Sequence, residues 1–212
     1  MNTNPLELSA IAINMFGAMQ KQAELAGLLA LLETGKPEVM LEIGAGNGGT
    51  SWAWSKLDSL KTLITLDLPN GPWGGTELDE KMKYISQNSN AQHVFIKGNS
   101  QNSEAKIAVL NNLGIDEKIY ADNEYDEEDK LDILFIDGDH SYAGVKTDFL
   151  TYSPLVKKGG LVVFHDICEH PPETQCDVKK FWDELKETTP VENYVEFICE
   201  PTNWGGIGVI KL

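Results

Sequence analysis

Apolar residues recur along this chain at two spacings. Residues 6–33 carry Leu and Ala at helical intervals and stop at Gly35-Lys36-Pro37, which predicts a helix over that span. Beyond it, short apolar runs take turns with amphipathic stretches. Strands are expected at about 38–43, 61–67, 92–97, 131–136 and 161–164. Helices should follow them, to about 58, 88 and 112, then over 141–152 and about 173–187. The run 131–136 is nearly all apolar, as a parallel strand buried on both faces should be. The tail breaks the alternation. Residues 194–199 and 207–210 read as strands with no helix between them, and the turn-like link 200–206 predicts an antiparallel hairpin. Repeated β–α units give an α/β fold of Rossmann-like type, a mainly parallel sheet with helices on both faces and an antiparallel hairpin at its C-terminal end. We expect one domain over 1–212, with a helical segment at 1–35 and the α/β core at 36–212.

In such sheets ligands bind beyond the carboxyl ends of the strands. That rule gathers Asp67, Asn99, Asp137, His140, His165 and Asp166 at one crevice. The first strand runs into Leu41-Glu42-Ile43-Gly44-Ala45-Gly46-Asn47-Gly48-Gly49-Thr50, a glycine-rich turn before a helix. Glycine suits a tight turn where a ligand lies against bare backbone. Gly44, Gly46 and Gly49 fit the dinucleotide pattern G-x-G-x-x-G, while Glu42 with Gly44, Gly46 and Gly48 fits E-x-G-x-G-x-G, found in S-adenosylmethionine (SAM) enzymes. Asp67 ends the second strand, where an acid accepts hydrogen bonds from ribose hydroxyls. Together these residues indicate an adenosine-containing ligand and leave its identity open.

Charge narrows the partners. The net charge is −16, and all 17 basic residues are Lys. A nucleic-acid binder needs a basic footprint and Arg forks, so no nucleic-acid partner is expected. Residues 116–130 hold eight acids against two lysines and read as a solvated connection. Three scattered cysteines suit a reducing compartment rather than a disulfide framework. The N-terminal apolar run is too short to span a bilayer and has no basic region before it, so a cytoplasmic protein without membrane contact is expected. His93 and His170 are expected at the surface, Trp52, Trp54 and Trp182 in packing, and Trp73 and Trp204 as loop residues able to wall a pocket.

The sequence resembles the class I SAM-dependent methyltransferases, in particular the small ones grouped with cephalosporin hydroxylase-like and sugar or macrolide O-methyltransferase proteins. The resemblance runs from about Leu25 to the C-terminus. Its carriers are Leu41-Glu42-Ile43-Gly44-Ala45-Gly46, Leu66-Asp67-Leu68-Pro69, Phe135-Ile136-Asp137-Gly138-Asp139-His140-Ser141-Tyr142, Lys158-Gly159-Gly160-Leu161, His165-Asp166, Phe181-Trp182 and Gly206-Ile207-Gly208-Val209. It implies SAM as cofactor, with Glu42, Gly44, Ala45 and Gly46 bordering the methionine, Asp67 and Leu68 at the ribose, Asn99 and Ser100 near the adenine, and Asp137 beside them. Family members often carry an acid where this chain has Asn99; an amide can also donate and accept.

The resemblance implies methyl transfer to a small hydroxylated acceptor such as a sugar. Either His140 or His165 is a candidate base, since histidine titrates near neutral pH. Asp137, His165 and Asp166 are candidate ligands for Mg2+, as in related sugar and catechol O-methyltransferases; His165 stands where a second acid would suit Mg2+ better. Asp139 or His140 has a plainer alternative as the cap of the helix at 141. Two rival readings remain: an iron oxygenase built from His140, His165 and Asp137 or Asp166, and a SAM-binding module without catalysis. The N-terminal helix is a candidate either to cover the cofactor or to pack on a second copy of the chain.

Overall fold

The computed structural model describes residues 4–68, 71, 77–121, 126 and 130–212. The sequence expectations for Trp73, and for most of the 68–76 loop and the acidic 122–129 segment, lie outside the described residues.

The chain opens with two helices where one was expected. Helix α1 spans Pro5–Phe16 and α2 spans Gln22–Gly35. Gly17 ends α1 in the left-handed region at φ 79°, with its N–H and that of Ala18 closing on the carbonyls of Ile13 and Ala12. Glycine adopts that conformation without steric cost. The break at Gly17 turns residues 17–20 toward the sheet edge.

The sheet is built from β1 (Val39–Ile43), β2 (Thr62–Asp67), β3 (Gln92–Lys97), β4 (Leu131–Ile136), β5 (Val156–His165), β6 (Tyr194–Phe197) and β7 (Ile207–Lys211). Their order is β3-β2-β1-β4-β5-β7-β6. The first five run parallel; β7 pairs antiparallel with both β5 and β6. Thus the expected hairpin forms, and its second strand is inserted against β5. Between the strands lie α3 (Gly49–Trp54), α4 (Leu78–Asn88), α5 (Ser103–Leu113), α6 (Glu117–Ala121), α7 (Tyr142–Tyr152) and α8 (Val178–Thr188).

Three further elements differ from the sequence reading, among them α6, a short helix inside the 116–130 stretch expected as a connection. Helix α3 ends at Trp54, well short of 58, and β5 begins at Val156 because the Lys157–Gly160 segment continues the strand past a register shift opposite Leu131 and Ile133. Apolar layers pack both faces of the sheet, one under α1, α2 and α3 and the other under α5, α7 and α8. Trp52 stacks on Phe16 at 4.5 Å, and Trp54 and Trp182 are buried, so these indoles serve packing. No helix among the described residues is long and apolar enough to cross a membrane. Chain order reverses between β1 and β4, and the crevice at their carboxyl ends holds the site.

Candidate active site

The glycine turn is shaped by its contact with the neighbouring strand. Gly44 sits at φ 87°, and a Cβ there would lie 2.0 Å from the Asp137 carbonyl oxygen. No other residue fits. Gly46 and Gly48 also have positive φ, at 52° and 84°. Asp67 closes the turn from β2: its Oδ2 accepts from Ala45 N at 2.6 Å and Gly46 N at 2.9 Å. Burial raises the Asp67 pKa against those hydrogen bonds.

Glu42 stands behind the turn. It is fully buried, accepts from Trp54 Nε1 at 2.9 Å and Thr65 Oγ1 at 3.1 Å, and also bonds the Ser51 hydroxyl. Burial pushes its carboxyl up to about 7, opposed by hydrogen bonds from Ser51, Thr50, Trp54 and Thr65. Glu42 does not line the cavity. This corrects its expected place beside the methionine: the carboxyl faces α3 and anchors it. His93 continues the buried network, with Nε2 3.1 Å from Thr65 Oγ1 and Nδ1 2.9 Å from Ser86 Oγ. It is half-buried rather than at the surface, and burial lowers its pKa to about 4.

At the ends of β4 and β5, carboxylates and imidazoles converge. Asp137 Oδ1 lies 3.1 Å from His165 Nδ1 and 3.3 Å from His140 Nε2. Asp166 Oδ1 lies 3.4 Å from His165 Nδ1 and 3.1 Å from His170 Nε2, while its Oδ2 lies 3.4 Å from His140 Nδ1. Asp166 is held at φ 63°, a left-handed conformation that costs a non-glycine residue about 1–3 kcal/mol. Strain of this kind is seen where surrounding contacts fix a residue, and here three imidazoles hold this carboxylate.

Charge in the cluster is mutually supported. Burial works against a charged His165, but Asp137 and Asp166 outweigh it and hold its pKa well above the ordinary value. His140 is raised in the same way, burial opposing and Asp137 and Asp166 prevailing. Asp166, although buried, is pulled well below the carboxylate range by His165, His170 and His140. His165 Nε2 is buried without a hydrogen-bond partner among the described residues.

A cavity of about 520 Å3 joins the two ends of this crevice. Of the residues expected at the site, Gly44, Ala45, Gly46, Asp67, Leu68, Asn99, Ser100, Asp137, His140, His165 and Asp166 all line it. Asp139 lines it too, but its Oδ1 accepts from Ser141 N at 2.9 Å and its Oδ2 from Gln101 Nε2 at 3.0 Å, so it braces the loop. The cap of α7 is Ser141, whose hydroxyl accepts from Gly144 N.

Sequence reasoning missed Gln20, His170 and Cys176, all in the lining. Gln20 reaches the site through the break at Gly17, a helix stop that the unbroken apolar periodicity concealed. His170, expected at the surface, is packed against Asp166, with Nδ1 2.9 Å from the Cys168 carbonyl. The 166–170 segment is not helical, so its four-residue spacing gave no signal of this contact. Trp204 reaches the cavity wall as expected, with Lys21 Nζ 4.8 Å above its ring.

A family model described as a methyltransferase domain matches residues 41–167, more than half of the chain, and the chain belongs to that family. An uncharacterized protein of Acanthamoeba polyphaga mimivirus is 32% identical over 172 residues, which cover 79% of this chain and 70% of that protein. Among solved structures, the MycE methyltransferase of the mycinamycin biosynthetic pathway, in complex with Mg and SAH, aligns with a TM-score of 0.59 at 16% identity. The match covers all of this chain, which spans 55% of the MycE chain. The O-methyltransferase TomG from Streptomyces achromogenes, involved in tomaymycin synthesis and in complex with SAM, gives 0.60 at 14% identity, covering 100% of this chain and 91% of TomG. An O-methyltransferase from Bacillus cereus in complex with SAH gives 0.55 at 16% identity, covering 100% and 92%. These likenesses establish the class I methyltransferase fold. Family membership favours methyl transfer over the oxygenase and binding-module alternatives.

Proposed function

We propose that this protein transfers the methyl group of SAM to a hydroxyl of a small acceptor, with a sugar as the acceptor class to test first. One observation carries the reading: a single cavity joins the glycine turn and Asp67 to the His140–Asp137–Asp166 cluster. Asp67, Leu68, Asn99 and Ser100 would hold the adenosine, while Gly44, Ala45, Gly46 and Asp137 would border the methionine. Exposed Trp204 offers an aromatic face to an acceptor ring.

In the transfer, the acceptor oxygen forms a bond to the methyl carbon as the carbon–sulfur bond breaks, leaving SAH. Holding the two reactants in line supplies much of the acceleration, up to roughly 7–11 kcal/mol in well-aligned cases. The acceptor proton goes to His140, whose side chain is one-third exposed, whereas His165 is buried. Asp137 and Asp166 would stabilise the imidazolium that forms, as the aspartate of a catalytic triad does.

The donor set also fits a divalent cation. Asp137, His165 and Asp166 offer ligand atoms within 4.8 Å of one another. A divalent cation held there would lower the pKa of a nearby acceptor hydroxyl.

Calorimetric titration with SAH tests the cofactor, and mass spectrometry of hydroxylated acceptors incubated with SAM tests the transfer. Micromolar SAH binding and a methyl-mass product are expected. A protein that binds no SAH is not this enzyme.

A further inference from the structure

Methyl transfer alone does not explain why nitrogen donors crowd the two carboxylates. His165 Nδ1 stands 3.1 Å from Asp137 Oδ1 and 3.4 Å from Asp166 Oδ1. Adjacent donors on an octahedral cation with bonds of about 2.1 Å stand about 3.0 Å apart. The two edges from His165 therefore lie close to the spacing of adjacent donors on one ion, and all three ligand atoms lie within 4.8 Å of one another. A second group, His140, Asp166 and Cys176, overlaps it through Asp166 and adds another nitrogen and a sulfur. Gln20 is 5% exposed and donates Nε2 to Asp137, while its Oε1 is buried with no partner among the described residues.

Mg2+ demands oxygen donors and dehydrates reluctantly, whereas imidazole suits first-row transition ions. We propose that the Asp137–His165–Asp166 site takes a nitrogen-accepting divalent cation, Mn2+ or Co2+, in preference to Mg2+. The ion's task rests on the methyl-transfer reading: it acts as a Lewis acid beside the acceptor hydroxyl and changes no oxidation state. His165 is the residue that sets the preference, being the one nitrogen donor in the triad.

Calorimetric titration of the full chain with MgCl2, MnCl2 and CoCl2, with and without SAH, tests this on wild type and His165→Glu. Wild type should bind Mn2+ and Co2+ at least about ten-fold more tightly than Mg2+, and the variant, with oxygen donors only, should cut that ratio by about ten-fold. An unchanged ratio, or no ion bound by wild type, overturns the proposal. Should His165→Glu not fold, pulsed electron paramagnetic resonance of Mn2+-loaded wild type decides. Nitrogen-14 modulation from a bound imidazole is expected, and its absence overturns the proposal. SAH binding without ion binding removes the ion site alone; ion binding without SAH binding supports the site and removes the methyl-transfer reading.

Discussion

Gln20 donates its side-chain amide to Asp137 across 2.8 Å, tying the break between α1 and α2 to the end of β4. The N-terminal segment is thereby part of the cavity wall. On the methyl-transfer reading, Gln20 Oε1, which has no partner among the described residues, would accept from the ammonium of the bound methionine moiety. Gln20→Ala should weaken SAH about ten-fold, the range for one hydrogen bond to a charged group. Binding of 5′-methylthioadenosine, which lacks the ammonium, should change far less. Equal losses for both ligands would show that Gln20 acts only through the fold.

His140→Ala should lower kcat by about 10²–10⁴, the range for a general base, and leave SAH affinity within about three-fold. The base acts only when neutral, and the carboxylates around His140 raise its pKa. The rate should therefore rise with pH along a limb centred above the ordinary histidine value of about 6.5. A pH–rate profile on wild type checks this; a limb at or below that value contradicts it.

Glu42 gives stability a pH dependence of calculable sign. Its pKa is about 7 folded against 4.5 as the free side chain. The folded state holds the proton more tightly, so this group's contribution is complete below 4.5 and is lost as pH rises toward 7. The loss is of the order of 3 kcal/mol at most. Glu42→Gln removes that titration. Urea unfolding at pH 5 and pH 8 should show wild type losing stability relative to the variant; parallel changes in the two would contradict it.

Gly44→Ala should unfold the turn rather than weaken one contact. A Cβ would meet the Asp137 carbonyl oxygen at 2.0 Å, backbone that cannot swing away, at a φ of 87°. Left-handed strain of roughly 1–2 kcal/mol adds to overpacking of roughly 1–3 kcal/mol. A thermal melt should show a fall of several degrees together with loss of SAH binding. Unchanged melting would contradict the tight β1–β4 approach.

Much of this was legible in the chain. The alternation of apolar runs located the five parallel strands, and the strand-end rule placed Asp67, Asp137, His140, His165 and Asp166 at one cavity. What escaped depends on direction and close approach. Glu42 lies in a strand, and pattern alone does not say that its carboxyl turns to Ser51, Trp54 and Thr65. The periodicity of 6–33 runs straight through Gly17, so the break that delivers Gln20 was hidden. His170 is drawn inward by Asp166, whose left-handed backbone no spacing rule announces.

The central claim is that the glycine turn and Asp67 hold a SAM-type cofactor. Calorimetric titration of SAH into wild type and Asp67→Ala tests it most directly. Micromolar binding by wild type that is lost in the variant is the predicted result. A wild-type protein that takes up no SAH, with or without a divalent cation, would contradict it.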